Sequence, residues 1–146
     1  IFLPGGKRVV VLGGQIEGVQ GAVFLKKRGR DVTIVEEGEN WGAGIPERYF
    51  QRIGPWFRRK NIRVLTGTKA EEITKEGVRV RSADGKVSVL SCDSVMVLMP
   101  QVASHAFAES LKSVIGEVHE IGSALGADNG LLKHALHDGR AVGCRI

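Results

Sequence analysis

Four apolar runs along the chain predict strands of a parallel sheet. Val9 to Leu12, Ile62 to Leu65 and Val95 to Leu98 consist mostly of valine, isoleucine and leucine, and Asp31 to Val35 is a fourth run rich in β-branched residues. Apolar runs that do not alternate with polar residues are typical of strands covered on both faces. The pattern therefore favours a central sheet that is buried between two layers.

Helical periodicity fills the intervals between the first strands. From Ile16 to Arg28 apolar residues recur at helical spacing, and Gly29 stands where the glycine after a helix usually lies. Residues 8 to 36 therefore predict a βαβ unit. A second helix is predicted from Pro46 to Lys60, with a kink or a break at Gly54-Pro55.

The second half of the chain has a different pattern. Residues 70 to 98 contain three short strand-like runs, separated by the hairpin turn sequences Lys75-Glu76-Gly77 and Ala83-Asp84-Gly85. The runs are Ala70 to Thr74, Val78 to Arg81 and Lys86 to Ser91. A strand from Val118 to Ile121 and a helix from about Asn129 to Val142 are predicted near the end. The predicted fold class is α/β: a Rossmann-like three-layer domain with a central parallel sheet and a small antiparallel β-meander.

Composition narrows the classes of protein further. The chain has 146 residues, 42% of them hydrophobic, and a net charge of +5. It contains no nucleic-acid-binding motif and no apolar run of about 20 residues, so neither nucleic acid nor membrane binding is expected. It begins Ile-Phe-Leu-Pro with no signal-peptide pattern, so we expect a cytoplasmic protein and a domain cut from a longer chain.

A glycine-rich turn between the first strand and helix carries the candidate chemistry. In a dinucleotide-binding fingerprint the first glycine permits the tight turn, the second admits the pyrophosphate, and the third lets the helix pack close to the strand. Gly13 and Gly18 hold the first and third positions, with Gly14 and Ile16 also in the turn, but Gln15 holds the second. A side chain therefore stands where the phosphates are expected to pass.

An acidic residue ends the second strand, where a ribose is bound in this fingerprint. Glu36, followed by Glu37, lies 18 residues after Gly18. Such a carboxylate accepts hydrogen bonds from ribose hydroxyls and repels the extra phosphate of NADP, so the sequence favours NAD(H). The alternative interpretation is that the glycines serve only chain geometry and that Glu36 is a solvated strand end.

Other reactive side chains give no catalytic or metal site. The histidines lack a zinc-binding spacing, no serine lies on a nucleophile elbow, and Cys92 and Cys144 belong to no Cys-x-x-Cys pair. We therefore predict no catalytic residue and no metal ligand. The aromatic residues could line a nicotinamide pocket, but their helical spacing favours the core; they are Trp41, Tyr49, Trp56 and Phe57.

These residues together resemble a known family. The chain is similar to the nicotinamide-binding domain of the pyridine nucleotide-disulfide oxidoreductase superfamily. Within it, the ending resembles the C-terminal region of 2,4-dienoyl-CoA reductase, trimethylamine dehydrogenase and related old-yellow-enzyme-type NADH:flavin oxidoreductases. The segments that carry the resemblance are residues 6–14, Gly29 to Glu36, Leu65 to Thr68, Glu72-Ile73, Gly77-Val78, Asp93 to Val95, His119 to Ser123 and His134 to Gly143, with His137-Asp138-Gly139 the most specific.

The resemblance implies a division of the chain and further cofactor contacts. Residues 1–116 would form the nicotinamide-dinucleotide-binding domain, and residues 117–146 would resemble the end of a FAD-binding domain. Pro100, Gly122 and Ser123 stand at cofactor-facing places of the family. The family commonly has an aspartate at the position of Ser123 and an asparagine-containing turn near Pro100, so both places depart from the family pattern.

Two functions remain open from the sequence. The first is an NAD(H)-binding module of a multidomain FAD- and FMN-dependent NADH:flavin oxidoreductase, which is inactive alone and places NADH for hydride transfer to flavin. FAD and FMN belong to the parent enzyme and are not expected to bind this fragment strongly. The second is a non-catalytic structural or docking domain that at most binds an adenine nucleotide. The partners would be the remaining domains of the parent flavoenzyme, or a second copy that exchanges its C-terminal helix.

Overall fold

The computed structural model describes residues 5–99, 102–126 and 132–145, with only the backbone of Leu132. Up to residue 99 its strands and helices follow the order that the sequence pattern predicts. The strands are β1 Arg8–Leu12, β2 Asp31–Val35, β3 Arg63–Leu65, β4 Thr68–Ile73, β5 Val78–Ser82, β6 Val87–Leu90 and β7 Ser94–Val97. The α-helices are α1 Ile16–Lys27, α2 Glu47–Arg59, α3 Ala106–Lys112 and α4 Leu132–Gly143, and Gly122–Leu125 is a 3-10 helix.

Two sheets organise the first 99 residues. Four parallel strands lie in the order β3-β2-β1-β7, and three antiparallel strands in the order β4-β5-β6. In the parallel sheet Val10 is paired with Thr33 on one side and with Val95 on the other. The carboxyl ends of β1, β2 and β7 therefore lie side by side at one edge of the sheet, where ligands bind in open parallel sheets.

Alternate residues of β1 face opposite layers. Val9 and Val11 belong to a core cluster with the buried residues of α1 and with Phe57 of α2. Val10 and Leu12 belong to a second cluster with Val78 and Val80 of the meander. The parallel sheet is thus covered by helices on one face and by the antiparallel sheet on the other, and the predicted α/β three-layer fold class is confirmed.

Two details differ from the sequence prediction. The helix at Gly54-Pro55 is not broken: α2 runs from Glu47 to Arg59 with Pro55 inside it. Buried Phe57 and half-buried Trp56 hold the turn beyond the proline against the sheet, which offsets the lost backbone hydrogen bond. The strand predicted from Val118 to Ile121 is wrong, because these residues pair with no strand in the described part of the chain.

The chain divides into two compact units, Ile1–Met99 and Pro100–Ile146. The first contains both sheets with α1 and α2, and the second contains α3, the 3-10 helix and α4. That residues 117–146 correspond to the end of a FAD-binding domain stays a prediction. Within the described ranges, no helix is both long and apolar enough to cross a bilayer, and the cytoplasmic location also stays a prediction.

Candidate functional site

The turn between β1 and α1 brings the helix unusually close to the strand. Gly13 has a φ of 102°, a backbone conformation that residues with a β-carbon rarely adopt. A β-carbon on Gly13 would lie 2.3 Å from the carbonyl oxygen of Leu98. A β-carbon on Gly18 would lie 1.8 Å from the carbonyl oxygen of Gly13. Both positions therefore require glycine, as the dinucleotide-binding fingerprint predicts.

Three backbone N–H groups are unpaired at the N-terminus of α1, where Gln15 is the N-cap residue. The backbone N–H groups in the first turn of a helix have no partner within the helix, and they attract anions because they form the positive end of the helix dipole. The N–H of Ile16 is already donated to the carbonyl oxygen of Ala43 at 2.9 Å. The N–H groups of Gln15, Glu17 and Gly18 have no acceptor among the described residues. These three donors are the ones that could hold a phosphate.

Glu36 lies beside the turn at the carboxyl end of β2. One carboxylate oxygen accepts the N–H of Gly14 at 2.6 Å, and the other accepts the N–H of Gly38 at 2.8 Å. The side chain is therefore not a free strand end, because it joins the glycine turn to the loop after β2. Each carboxylate oxygen has a second lone pair, so Glu36 keeps the capacity to accept ribose hydroxyls.

The loop from Gly38 to Pro46 closes over the turn, which the sequence prediction missed. The N–H of Gly42 is donated to the carbonyl oxygen of Gly14 at 2.7 Å. Trp41 stacks on Phe57 with ring centroids 5.0 Å apart, so the loop is held against the helical layer. The only sequence signal for this contact was the pair Gly42 and Gly44, both of which have positive φ.

The remaining candidate cofactor residues lie in different places. Gln15 is the N-cap of α1, is half-buried, and makes no capping hydrogen bond with its side chain. Glu37 is exposed and forms an ion pair with Lys69 at 3.3 Å. Gly122 is buried and begins the 3-10 helix, whereas Ser123 is exposed. Pro100 lies outside the described residues.

Other polar groups pair with one another. His105 contacts Glu120, and the ring of His119 lies 2.7 Å from Glu117. Within the described ranges no three His, Cys, Asp or Glu side chains are placed to share a metal ion. Cys92 is half-buried, and this burial raises the pKa of its thiol above the usual value, with the charge of Asp93 adding to the effect.

Aromatic residues divide between the core and the surface. Phe57 is buried, with Trp41 and Trp56 packed against its cluster, as the helical spacing predicts. Tyr49 is 60% exposed, so its predicted place in the core is wrong. The reason is that Tyr49 lies in the first turn of α2, where a groove separates the two helices.

The fold and the turn define a dinucleotide-binding type of α/β domain, and comparison with known sequences gives its family. Residues 2–121 match the pyridine nucleotide-disulphide oxidoreductase family. The chain belongs to this family, whose members are pyridine nucleotide- and flavin-dependent redox enzymes. The resemblance predicted from the sequence is confirmed.

Individual relatives are large redox enzymes. Bilirubin reductase of Mediterraneibacter gnavus is 37% identical over 95 residues, which cover 65% of this chain and 14% of that protein. Cinnamate reductase of Clostridium sporogenes is 25% identical over 122 residues, which cover 82% of this chain and 18% of that protein. The solved structure of 2-naphthoyl-CoA reductase with 2-naphthoyl-CoA superposes with a TM-score of 0.76 at 27% identity, covering 99% of this chain and 22% of that one. The chain thus spans less than a quarter of each of these relatives.

Proposed function

We propose that this chain is the NAD(H)-binding module of a multidomain FAD- and FMN-dependent NADH:flavin oxidoreductase of the enoate or 2,4-dienoyl-CoA reductase type. One observation carries the proposal: α1 begins with free N–H groups at the carboxyl edge of the sheet, and the Glu36 carboxylate binds the N–H of Gly14 in the turn that leads into this helix. The donors suit a pyrophosphate and the carboxylate suits a ribose. The bound nicotinamide would supply a hydride to a flavin held by other domains.

The chain's own residues would bind and orient the dinucleotide. Gly13 and Gly18 keep the helix N-terminus close to the sheet edge, and Glu36 fixes the loop that borders the ribose position. We expect Glu36 to favour NADH over NADPH, because a carboxylate repels the 2′-phosphate. Without the flavin domains the module should bind nucleotide but catalyse no redox reaction.

The apolar surface of the second unit supports the multidomain part of the proposal. Four large apolar residues are between 65% and 87% exposed: Val102, Phe107, Val114 and Leu136. Four exposed apolar side chains in a unit of this size are consistent with a surface that another part of the polypeptide covers. We infer that residues 100–146 pack against the remaining domains of the parent flavoenzyme.

A second candidate function is a structural or docking domain whose nucleotide site is eroded. The observation in its favour is that the turn is partly filled: Glu36 occupies the N–H of Gly14, and Ala43 occupies the N–H of Ile16. The exposed carboxylate of Glu17 also lies in the first turn of α1, where it repels an approaching anion. Such a domain would bind at most an adenine nucleotide.

Calorimetric titration of the chain with NADH, NADPH, ADP and FAD separates the two functions. The module should bind NADH saturably, at least tenfold tighter than NADPH. Glu36→Ala should reduce this preference by about tenfold, equivalent to about 1.4 kcal/mol of discrimination. Glu39→Ala is the matched control, because Glu39 is an exposed carboxylate of the same loop and should leave the preference unchanged.

The outcomes of this titration are distinct. A purely structural effect of Glu36→Ala would weaken NADH and NADPH equally, which would contradict a ribose contact. Binding of ADP with no additional affinity for NADH would favour the second candidate. Absence of binding by all four nucleotides would overturn nucleotide binding by this chain.

A further inference from the structure

A groove separates the outer faces of α1 and α2, and Ile16, the first residue of α1, lines one end of it. It has a volume of about 640 Å³. On one side a stripe of α1 lines it at spacings of three and four residues, from Ile16 to Arg28. On the other side it is lined by Ile45, Pro46, Tyr49 and Ile53. The stripe is about 18 Å long at 1.5 Å per residue, which matches three turns of a helix.

The floor of the groove is apolar and its walls are aromatic. Val19 at the floor is fully buried, and Val23 and Ile53 are half-buried. Phe24 and Tyr49 are 41% and 60% exposed. A third helix that packs between two others needs this kind of surface, with apolar ridges flanked by larger side chains.

The borders of the groove carry one sign of charge. Lys27 and Arg28 line its end, and a second hollow that shares Val23, Lys27 and Ile53 adds Arg52 and Arg59. No carboxylate lines either hollow. In the described part of the chain none of these four cations forms an ion pair, although the Arg28 guanidinium carbon lies 3.6 Å from the centre of the Phe24 ring. The surface therefore complements an anionic partner.

We propose that this groove docks an amphipathic helix whose apolar stripe is flanked by carboxylates, supplied by polypeptide outside these 146 residues. A second copy of the chain does not fit, because pairing the same face would bring eight cations together. The chain's own described helices do not fit either: α3 and α4 each contain one acid, Glu109 and Asp138, and Glu109 is already paired with Lys112. The proposal does not depend on nucleotide binding.

Three synthetic 18-residue helical peptides test the groove. They share one leucine stripe and differ in the flanking residues, which are glutamate, glutamine or lysine. Fluorescence anisotropy of the labelled peptides with the intact chain should give saturable binding of the glutamate peptide, at least tenfold tighter than the glutamine peptide. The difference should shrink at 0.5 M salt, because exposed charges are screened.

Two double variants assign the binding to the groove. Lys27→Glu with Arg52→Glu should weaken the glutamate peptide at least tenfold and create affinity for the lysine peptide. Lys75→Glu with Lys86→Glu makes the same change in net charge on the turns of the meander and should leave the binding unchanged. Tyr49→Ser should weaken the glutamate and glutamine peptides equally, since it removes an apolar wall without changing charge.

The proposal is overturned if the three peptides bind equally or not at all, or if both double variants act alike. It is also overturned if dodecanoate binds one-to-one at the groove while the peptides do not, which would indicate a site for a small amphipathic anion. Gel filtration completes the test: a dimer that Lys27→Glu with Arg52→Glu dissociates would assign the groove to a second copy. Unfolding midpoints in urea confirm that each variant is folded.

Discussion

Replacing Gly18 by alanine tests how closely helix α1 packs against the turn that precedes it. A β-carbon at this position would lie 1.8 Å from the carbonyl oxygen of Gly13, whereas real β-carbons essentially never approach within 3.0 Å of such an atom. Gly18→Ala must therefore separate helix α1 from the turn by a further 1.2 Å. Backbone lies on both sides of this contact, so no side chain can rotate away to relieve it.

The expected cost follows from two opposing terms. Overpacking of this kind costs about 3 kcal/mol, the upper part of the usual range, because the backbone itself has to move. Alanine gains about 1 kcal/mol over glycine in a helix. Gly18→Ala should thus lower the free energy of unfolding by about 2 kcal/mol, and the urea midpoint by about 1 M.

Gly21→Ala is the matched control on the same helix. Its β-carbon would lie 2.7 Å from Cδ1 of Leu98 and 3.2 Å from the sulfur of Met96, both near the ends of flexible side chains. Both variants add an alanine to the same helix, but only Gly18→Ala meets rigid backbone, so the difference between the two variants reports on the Gly13 contact. Urea unfolding followed by the fluorescence of Trp41 and Trp56 reports on this unit. Midpoints within about 0.3 M of each other would refute the close packing of helix on turn.

Three further predictions rest on charge and exposure. Hydrogen bonds from the side chain and N–H of Arg8 hold the pKa of the Asp93 carboxyl well below its usual range. The ionised Asp93 therefore stabilises the fold fully above about pH 4, and this stabilisation is lost at lower pH. Asp93→Asn should flatten this part of a profile of urea midpoint against pH, and an unchanged profile would contradict the prediction. Glu17→Gln should strengthen NADH binding about threefold in calorimetry, because it removes a carboxylate beside the phosphate donors. Weaker binding would contradict this repulsion and show that the Glu17 carboxylate contributes to binding. Exposed Cys144 should react with a thiol reagent at pH 8 well before half-buried Cys92, and the Cys92→Ser variant assigns the two rates. Equal rates would mean that the segment before β7 opens readily.

The sequence predicts the βαβ unit and its neighbours because local pattern and tertiary contacts agree there. Val9 to Leu12 is apolar at every position, and the structure uses both faces of it, one against α1 and one against the meander. The sequence also predicts that positions 13 and 18 require glycine, because a β-carbon at either position would clash with a backbone carbonyl oxygen. These features depend on residues close together in the chain.

Features that depend on distant pairing could not be predicted in the same way. The segment from Val118 to Ile121 has the composition of a strand, but a strand forms only where a neighbour supplies hydrogen bonds. The contact of Ala43 with Ile16 joins residues 27 positions apart through backbone atoms, which leave no signature in side-chain pattern. Tyr49 has helical spacing with the core residues, yet α2 begins too far from α1 to bury it.

The position of the loop from Gly38 to Pro46 determines how many N–H donors a nucleotide can reach, and it therefore distinguishes the two candidate functions. In the described arrangement it uses the N–H of Ile16 and the carbonyl of Gly14, while Glu36 uses the N–H of Gly14. If these bonds persist when a nucleotide is bound, the N–H groups of Gly14 and Ile16 stay occupied, and only those of Gln15, Glu17 and Gly18 can contact its phosphates. If the loop moves, further donors become free, but the Trp41 stack on Phe57 has to be broken. A change in Trp41 fluorescence on adding NADH, measured in a Trp56→Phe background, would therefore favour the NAD(H)-binding module, because an eroded site has no reason to open.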